Sequence, residues 1–307
     1  MALHRLTSIT IGVPNVAETA AYYTDFGLTP DQEGWFTTRD AGRQLRIVHA
    51  SRRHLVEVRI GADTPDDLAV AASRLKRLGV ESEMSDTLTA YDSATGVRAV
   101  LEVIPRLFQE SVTATAYNGP GRNERTGSRA SGILRTGRVQ PRKLGHAVIG
   151  TTDLDATTAF FRDGIGFKAS DYIKDHGAFL RCSTDHHNIL VLAAPVTFLH
   201  HSSWQVDDID EVGRGASAML EDHPERHVWG LGRHHAGSNF FWYLKDPAGN
   251  FSEYYSDMDC IVDDQLWTPE VLAGAKGLFN WGPPPPPSFL APDDLAALMT
   301  GTHSETR

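Results

Sequence analysis

A chain of 307 residues that is 41% hydrophobic can bury a large core and has room for about two domains. Its net charge of −10 argues against nucleic acid as a partner, because a Lys/Arg-dense face would need a still larger acidic excess elsewhere, and favours a small molecule. Cys182 and Cys260 are too few for a disulfide framework, "MALHRLTSITIGVPNV" lacks a signal-type apolar stretch, and no run approaches the roughly 18 apolar residues of a membrane span, so the expected setting is the cytoplasm, away from any membrane.

In chain order, "SITIGVPNVAETAAYYTDFGL" (8–28) reads as a short apolar strand, then Asn15 suited to capping a helix, then a helix with the paired aromatics Tyr22 and Tyr23 that ends at glycine. "HLVEVRIGADTPDDLAVAASRLKRLGV" (54–80) gives a second strand, an acidic helix start and a helix of small and apolar residues. The polar stretch 107–143, rich in Gly, Arg, Thr and Ser, forms the edge of the first domain and a linker. The pattern then returns. "HAVIGTTDLDATTAFFRDGIGF" (146–167) repeats the first segment with Asp153 at the cap and Phe160 and Phe161 as the aromatic pair, and the step from Ser8 to His146 sets a period of 138 residues. "HHSSWQVDDIDEVGRGASAML" (200–220) repeats the second segment, and "NFFWYLKDPAGNFSEYYSD" (239–257) supplies a strand, a turn and a returning strand. Beyond Asp257 periodicity fades, and "WGPPPPPSFL" (281–290) is expected to be extended polyproline in a tail that wraps the second half.

The repeats give four βαβββ modules near 5–50, 54–105, 144–195 and 198–256. They divide the chain into an N-terminal pair (1–125), a linker (126–143), a C-terminal pair (144–257) and a tail (258–307). This arrangement resembles the vicinal oxygen chelate fold over residues 5 to 256, and in particular the two-domain type I extradiol dioxygenases of the catechol 2,3-dioxygenase and 2,3-dihydroxybiphenyl 1,2-dioxygenase kind. The resemblance implies an α+β fold of two domains, each an incomplete mixed β-barrel with helices outside. It also implies one metal ion held by the first strands of two successive modules and a carboxylate on the last strand. Aligning "HAVIGTTDLD" with "HSSWQVDDID" makes His146 and His201 the two histidine ligands, with Glu253 the carboxylate. Alternation along a strand then turns His200 away. Ser8 and Val100 stand at the positions of His146 and Glu253 in the first half and cannot ligate, so the second half alone carries the site.

Two histidines and one carboxylate favour Fe(II), with Mn(II) as a substitute. The family also keeps a histidine 14 residues before the second ligand, a tyrosine ten before the glutamate and a histidine nine before that tyrosine. His187, Tyr243 and His234 fill those places. The resemblance makes His187 the proton donor in O–O cleavage, with a pKa near neutrality, and His234 and Tyr243 hydrogen-bond donors to the bound oxygens. Val148, two residues from His146 on the same face, and Phe179, eight before His187, are the expected wall of the substrate and dioxygen pocket. The implied reaction is extradiol cleavage of a catechol by O2 to a hydroxymuconic semialdehyde in aromatic catabolism, by a homo-oligomer. A metal-dependent isomerase or lyase of the same fold, or a protein that binds an aromatic ligand, are the competing readings. His176, His186, His200, His223, His227, His235 and His303 are expected to be structural or solvent-facing.

Overall fold

The computed structural model describes residues 3–300; His303 lies outside the described residues. The first module is β1 (Leu3–Val13), α1 (Val16–Asp25), β2 (Thr29–Pro30), β3 (Trp35–Thr38) and β4 (Gly42–His49). The second is β5 (His54–Ala62), α2 (Pro65–Arg77), β6 (Ser82–Met84), β7 (Thr87–Tyr91) and β8 (Arg98–Val103). Regular structure then lapses, apart from the short α3 (Ser131–Leu134), until β9 (Lys143–Thr151), so the expected linker falls within this gap. The third module continues with α4 (Leu154–Ala159) running into a π-helical turn (Phe160–Ile165), then β10 (Lys168–Ile173), β11 (Gly177–Arg181) and β12 (Ile189–Ala193). The fourth is β13 (Phe198–Gln205), α5 (Ile209–Leu220), β14 (His227–Arg233), β15 (Phe240–Lys245) and β16 (Phe251–Ser256).

Each pair of modules makes one mixed sheet. The N-terminal sheet has eight strands in the order β2-β3-β4-β1-β5-β8-β7-β6. The C-terminal sheet has nine, β14-β15-β16-β13-β9-β12-β11-β10-β17, where β17 (Val271–Leu272) comes from the tail. In both, the first strands of the two modules lie antiparallel at the centre, and each pairs in parallel with the last strand of its own module because a helical crossover separates them. Neither sheet closes, which matches the expected incomplete barrels.

The halves interlock by exchanging helices. The α1 aromatics pack beneath the C-terminal sheet, with Phe26 stacked on Tyr254 at 3.9 Å between ring centroids. In return the π-helical turn lies against α2, where Gly164 meets Leu75 so closely that a Cβ at Gly164 would stand 2.8 Å from it. Asp153 caps α4 as expected by accepting from the Ala156 amide. Asn15 does not cap α1 through its side chain; its Nδ2 donates instead to the Pro247 carbonyl of the other half.

Parts of the tail lie against the C-terminal sheet. β17 extends one sheet edge beside β10, and the Trp229 indole donates to the Pro283 carbonyl. The proline run does not stay extended to Leu290. Pro286 has polyproline geometry (φ −68°, ψ 153°), but Pro287–Leu290 forms the helical turn α6, since proline at a first helical position lacks an N–H that would in any case be unpaired. The short α7 (Leu295–Thr300) follows. Among the described residues no helix is long and apolar enough to cross a membrane.

Candidate metal centre

The three central strands β9, β13 and β16 set the site. His146 pairs with Ser203, and Ser203 pairs with Glu253, so a single row crosses the sheet. His201, two residues before Ser203, shares that face. The small Ser203 in the middle leaves room for the larger side chains to lean together. His146 Nε2, His201 Nε2 and Glu253 Oε2 come within 4.8 Å of one another. The separations are 3.3 Å between the two nitrogens, 3.1 Å from His146 to Glu253 and 3.6 Å from His201 to Glu253. Cis ligands about 2.1 Å from an octahedral ion lie about 3 Å apart, so these atoms fit one face of such an ion.

Burial supports the same reading. Glu253 is fully buried, and its Oε2 accepts no hydrogen bond while Oε1 accepts one from Asn239 Nδ2 at 3.1 Å. An uncompensated carboxylate in an apolar strand costs several kcal/mol, and a divalent cation removes that cost. Burial, and then the neighbouring His200 and His146, push the His201 ring well below the usual imidazole range, so it stands ready as a neutral ligand.

The remaining expected residues gather around this point. His187 stacks against His146 with ring centroids 4.1 Å apart. Its pKa is driven well below that of free imidazole, by burial first and by His146 next. That corrects the expectation of a near-neutral pKa: in a desolvated cluster of imidazoles the charged form has no partner. His234 Nε2 lies 2.8 Å from the Tyr243 hydroxyl, and its Nδ1 donates to the Leu278 carbonyl, leaving Nε2 to accept from Tyr243. Burial lowers His234, whereas burial and the nearby Glu253 raise Tyr243.

All five of these side chains other than Glu253 open onto a cavity of about 680 Å³. Its walls are apolar, with Phe179, Leu190, Leu192, Leu272, Phe289 and Leu290 among them, and Lys174 and Asp175 belong to its lining. Phe179 is therefore where the sequence put it. Val148 is buried in the same cluster as Phe179 and Leu190 but is not among the residues lining the cavity.

Of the histidines expected to be structural or solvent-facing, two stand beside these side chains, His200 on the cavity wall and His186 in a structural place behind His187. His200 does not turn away: a bulge between Leu199 and His201 on β13 breaks strand alternation, and His200 lines the cavity with its Nδ1 2.7 Å from His201 Nδ1. His186 is fully buried between His187 Nδ1 at 3.1 Å and Asp171 Oδ2 at 3.0 Å. The Asp171 carboxylate can only accept, so His186 carries its proton on Nε2 and accepts from His187 Nδ1, which leaves His187 Nε2 free toward the cavity. Asn239 was also missed. It stands four residues before Tyr243, a spacing that puts it on the same strand face, and that was the available signal.

Residues 143–254 match the Glyoxalase/Bleomycin resistance protein/Dioxygenase superfamily. The chain is 36% identical over 183 residues to Metapyrocatechase 2 of Cupriavidus necator, a match covering 58% of this chain and 57% of that protein. It spans little more than half the length of the curated relatives it matches. Among solved structures, the Mn(II)-bound glyoxalase from Novosphingobium aromaticivorans superposes with a TM-score of 0.69 at 23% identity, over 93% of this chain and 95% of that one. Homoprotocatechuate 2,3-dioxygenase from Arthrobacter globiformis superposes with a TM-score of 0.72 at 16% identity, over 94% and 91%. At these identities the superpositions establish the shared two-domain fold.

Proposed function

We propose, from the match of residues 143–254 to the Glyoxalase/Bleomycin resistance protein/Dioxygenase superfamily, that the chain is an extradiol dioxygenase: it opens the ring of a catechol with O2, placing both oxygen atoms in a hydroxymuconic semialdehyde. The observation that carries this reading is the convergence of His146 Nε2, His201 Nε2 and Glu253 Oε2 at the head of an apolar cavity, with His187 and the His234–Tyr243 pair beside them. His146, His201 and Glu253 would hold Fe(II), for which Mn(II) can substitute, and the bound ion would supply the Lewis acidity that favours catechol ionisation and the redox chemistry needed to activate dioxygen.

The chain's own groups do the proton work. His187, neutral and with Nε2 free, takes a proton from an incoming catechol hydroxyl and returns it where a leaving oxygen must be protonated. Tyr243 donates to His234 before substrate arrives, so both groups are positioned to hydrogen-bond the substrate oxygens. The apolar walls exclude water from the reacting centre, and they favour a catechol with an apolar rather than a carboxylated substituent.

Free cysteines at the buried Cys182 and the exposed Cys260 support a reducing, cytoplasmic setting.

Iron-loaded protein mixed anaerobically with 2,3-dihydroxybiphenyl or catechol and then exposed to air is expected to give a yellow ring-fission product with one O2 consumed per substrate. A glyoxalase-type isomerisation consumes no O2. Absence of both colour and oxygen uptake across a panel of catechols overturns the proposal.

A further inference from the structure

The pair His200 and His201 is joined nitrogen to nitrogen, and the chemistry of its outer end fixes where the protons lie. His200 Nε2 is 2.6 Å from the Phe289 backbone carbonyl, which can only accept, so that nitrogen carries a hydrogen. A neutral His200 is then an acceptor at Nδ1. The 2.7 Å contact requires His201 to donate from its own Nδ1, and this leaves the lone pair of His201 Nε2 facing His146 and Glu253. Rings of Phe251 and Phe289 pack against His200 at centroid distances of 5.2 and 4.8 Å and hold its plane. The Nδ1 of the other histidine ligand, His146, has no hydrogen-bond partner among the described residues.

Both ends of this relay are held by a residue from the half of the molecule that carries no ligand. Arg53, fully buried just before β5, donates to the Leu199 carbonyl at 2.6 Å, beside the bulge that turns His200 inward. Its Nε and Nη2 also form a forked ion pair with Asp294 at 2.6 and 2.7 Å, five residues beyond Phe289. A planar guanidinium can grip both points at once because its donors are fixed in one fork.

We propose that His200 is a positioning residue of the metal centre, passing the polarity of the Phe289 carbonyl to His201 so that this ligand keeps its proton on Nδ1 and offers Nε2 to the ion, with Arg53 clamping the two ends of the relay. This rests on the metal reading given above. Partners that orient metal-bound histidines typically matter about 10- to 100-fold in metal affinity.

The tests read metal binding and tautomer, not turnover. Mn(II) titrated into metal-free protein against a chromophoric chelator is expected to bind His200→Phe about 10- to 100-fold more weakly than wild type. His200→Gln, whose amide keeps an acceptor and a donor, recovers most of that loss. Asp294→Asn, at a partly exposed position outside the set of three ligand side chains, gives a smaller loss in the same direction. In 15N-histidine spectra of the metal-free wild type, His201 is expected as the Nδ1–H tautomer; finding it as Nε2–H overturns the proposal. Unchanged Mn(II) affinity in His200→Phe, or in Asp294→Asn should the former fail to fold, overturns it as well. Wild-type protein that binds no metal removes the underlying metal reading together with it.

Discussion

The two halves of the chain are the same device built twice, with one copy emptied. Strand register aligns them residue by residue. Ser8 pairs with Arg59 and Arg59 with Val100 in the N-terminal sheet, as His146 pairs with Ser203 and Ser203 with Glu253 in the other. The counterpart of His201 is then Glu57, and even the bulge recurs: Thr10 and Ile11 face Glu57 and Leu55, as Val148 and Ile149 face His201 and Leu199. What differs is chemistry alone. Where the C-terminal row has a small serine that lets ligands converge, the N-terminal row has Arg59, paired with Glu102 at 2.6 Å, and Glu57 is taken up by Arg98. At the bulge Val56 stands where His200 does. A sheet can therefore keep its strand register while carrying different side chains in the same row, and the fold by itself says nothing about which row could hold an ion.

Equivalent substitutions in the two rows make the contrast measurable. Glu253→Gln or His201→Ala is expected to abolish metal retention, read by elemental analysis after iron loading and gel filtration. Val100→Ala or Ser8→Ala should leave it intact. Metal loss from the N-terminal substitutions would mean that the first sheet contributes a ligand. The reverse experiment, Ser8→His with Val100→Glu, should not create a second site, because Arg59 remains in the middle of the row. A second bound ion in the doubly substituted protein would show that ligand identity alone makes the difference.

The next effect separates holding the ion from moving protons. His187→Phe is expected to retain iron and to lower kcat by about 10²- to 10⁴-fold, the span of a lost general acid–base group. Because His187 Nε2 enters as a base, the residual activity should recover partly as pH rises and the catechol ionises without help. A flat pH profile with wild-type turnover would remove the role.

How much of this was readable beforehand follows from the range of the interactions. Module order, the capping Asp153 and the gathering of His146, His201, Glu253, His187, His234 and Tyr243 around one point follow fixed offsets along the repeated modules, so spacing and resemblance were enough to expect these side chains together. His200 was misplaced because strict alternation was assumed, and this bulge has no glycine or proline to announce it. The Asp171–His186–His187 chain and the Arg53–Asp294 clamp join residues 15 and 241 positions apart, and no local pattern encodes such a meeting. The depressed pKa of His187 was equally invisible, since it comes first from burial and then from His146 and His186, which only the folded chain brings around it.

Acid tests the halves against each other at a smaller scale. His187, His200, His201 and His234, all in the C-terminal half, have folded pKa values below the ordinary 6.5, His200 down to about 4. For such groups the unfolded chain binds protons first as pH falls. Their stabilisation is complete above about 6.5 and is lost toward 4, with about 3 kcal/mol from His200 alone. Asp246, raised to about 6 by burial, and Glu211, also raised by burial first, act in the opposite sense, two groups against four. Urea midpoints of the metal-free protein should therefore fall between pH 6.5 and 4, with the C-terminal tryptophans Trp204 and Trp229 exposed before Trp35. Simultaneous exposure with no pH dependence in that window would contradict the assignment of neutral imidazoles to the site.

The smallest effect belongs to the interface where the halves meet. The aromatic pair on the first helix of each half is Tyr22 and Tyr23 in one and Phe160 and Phe161 in the other, and only the tyrosines carry hydroxyls, which meet Ser252 and Ser202. Tyr22 and Ser252 share a buried hydrogen bond through their hydroxyls, directly behind the strand that carries Glu253. Tyr22→Phe removes the bond and leaves the Ser252 hydroxyl without that partner in a dry contact, which costs about 1–2 kcal/mol. Because Ser252 points to the opposite face of β16 from Glu253, the loss should appear in the denaturant midpoint and not in metal affinity. Should Tyr22→Phe weaken metal binding at unchanged stability, the two faces of that strand are coupled, and the N-terminal half reaches the centre by a second route besides Arg53.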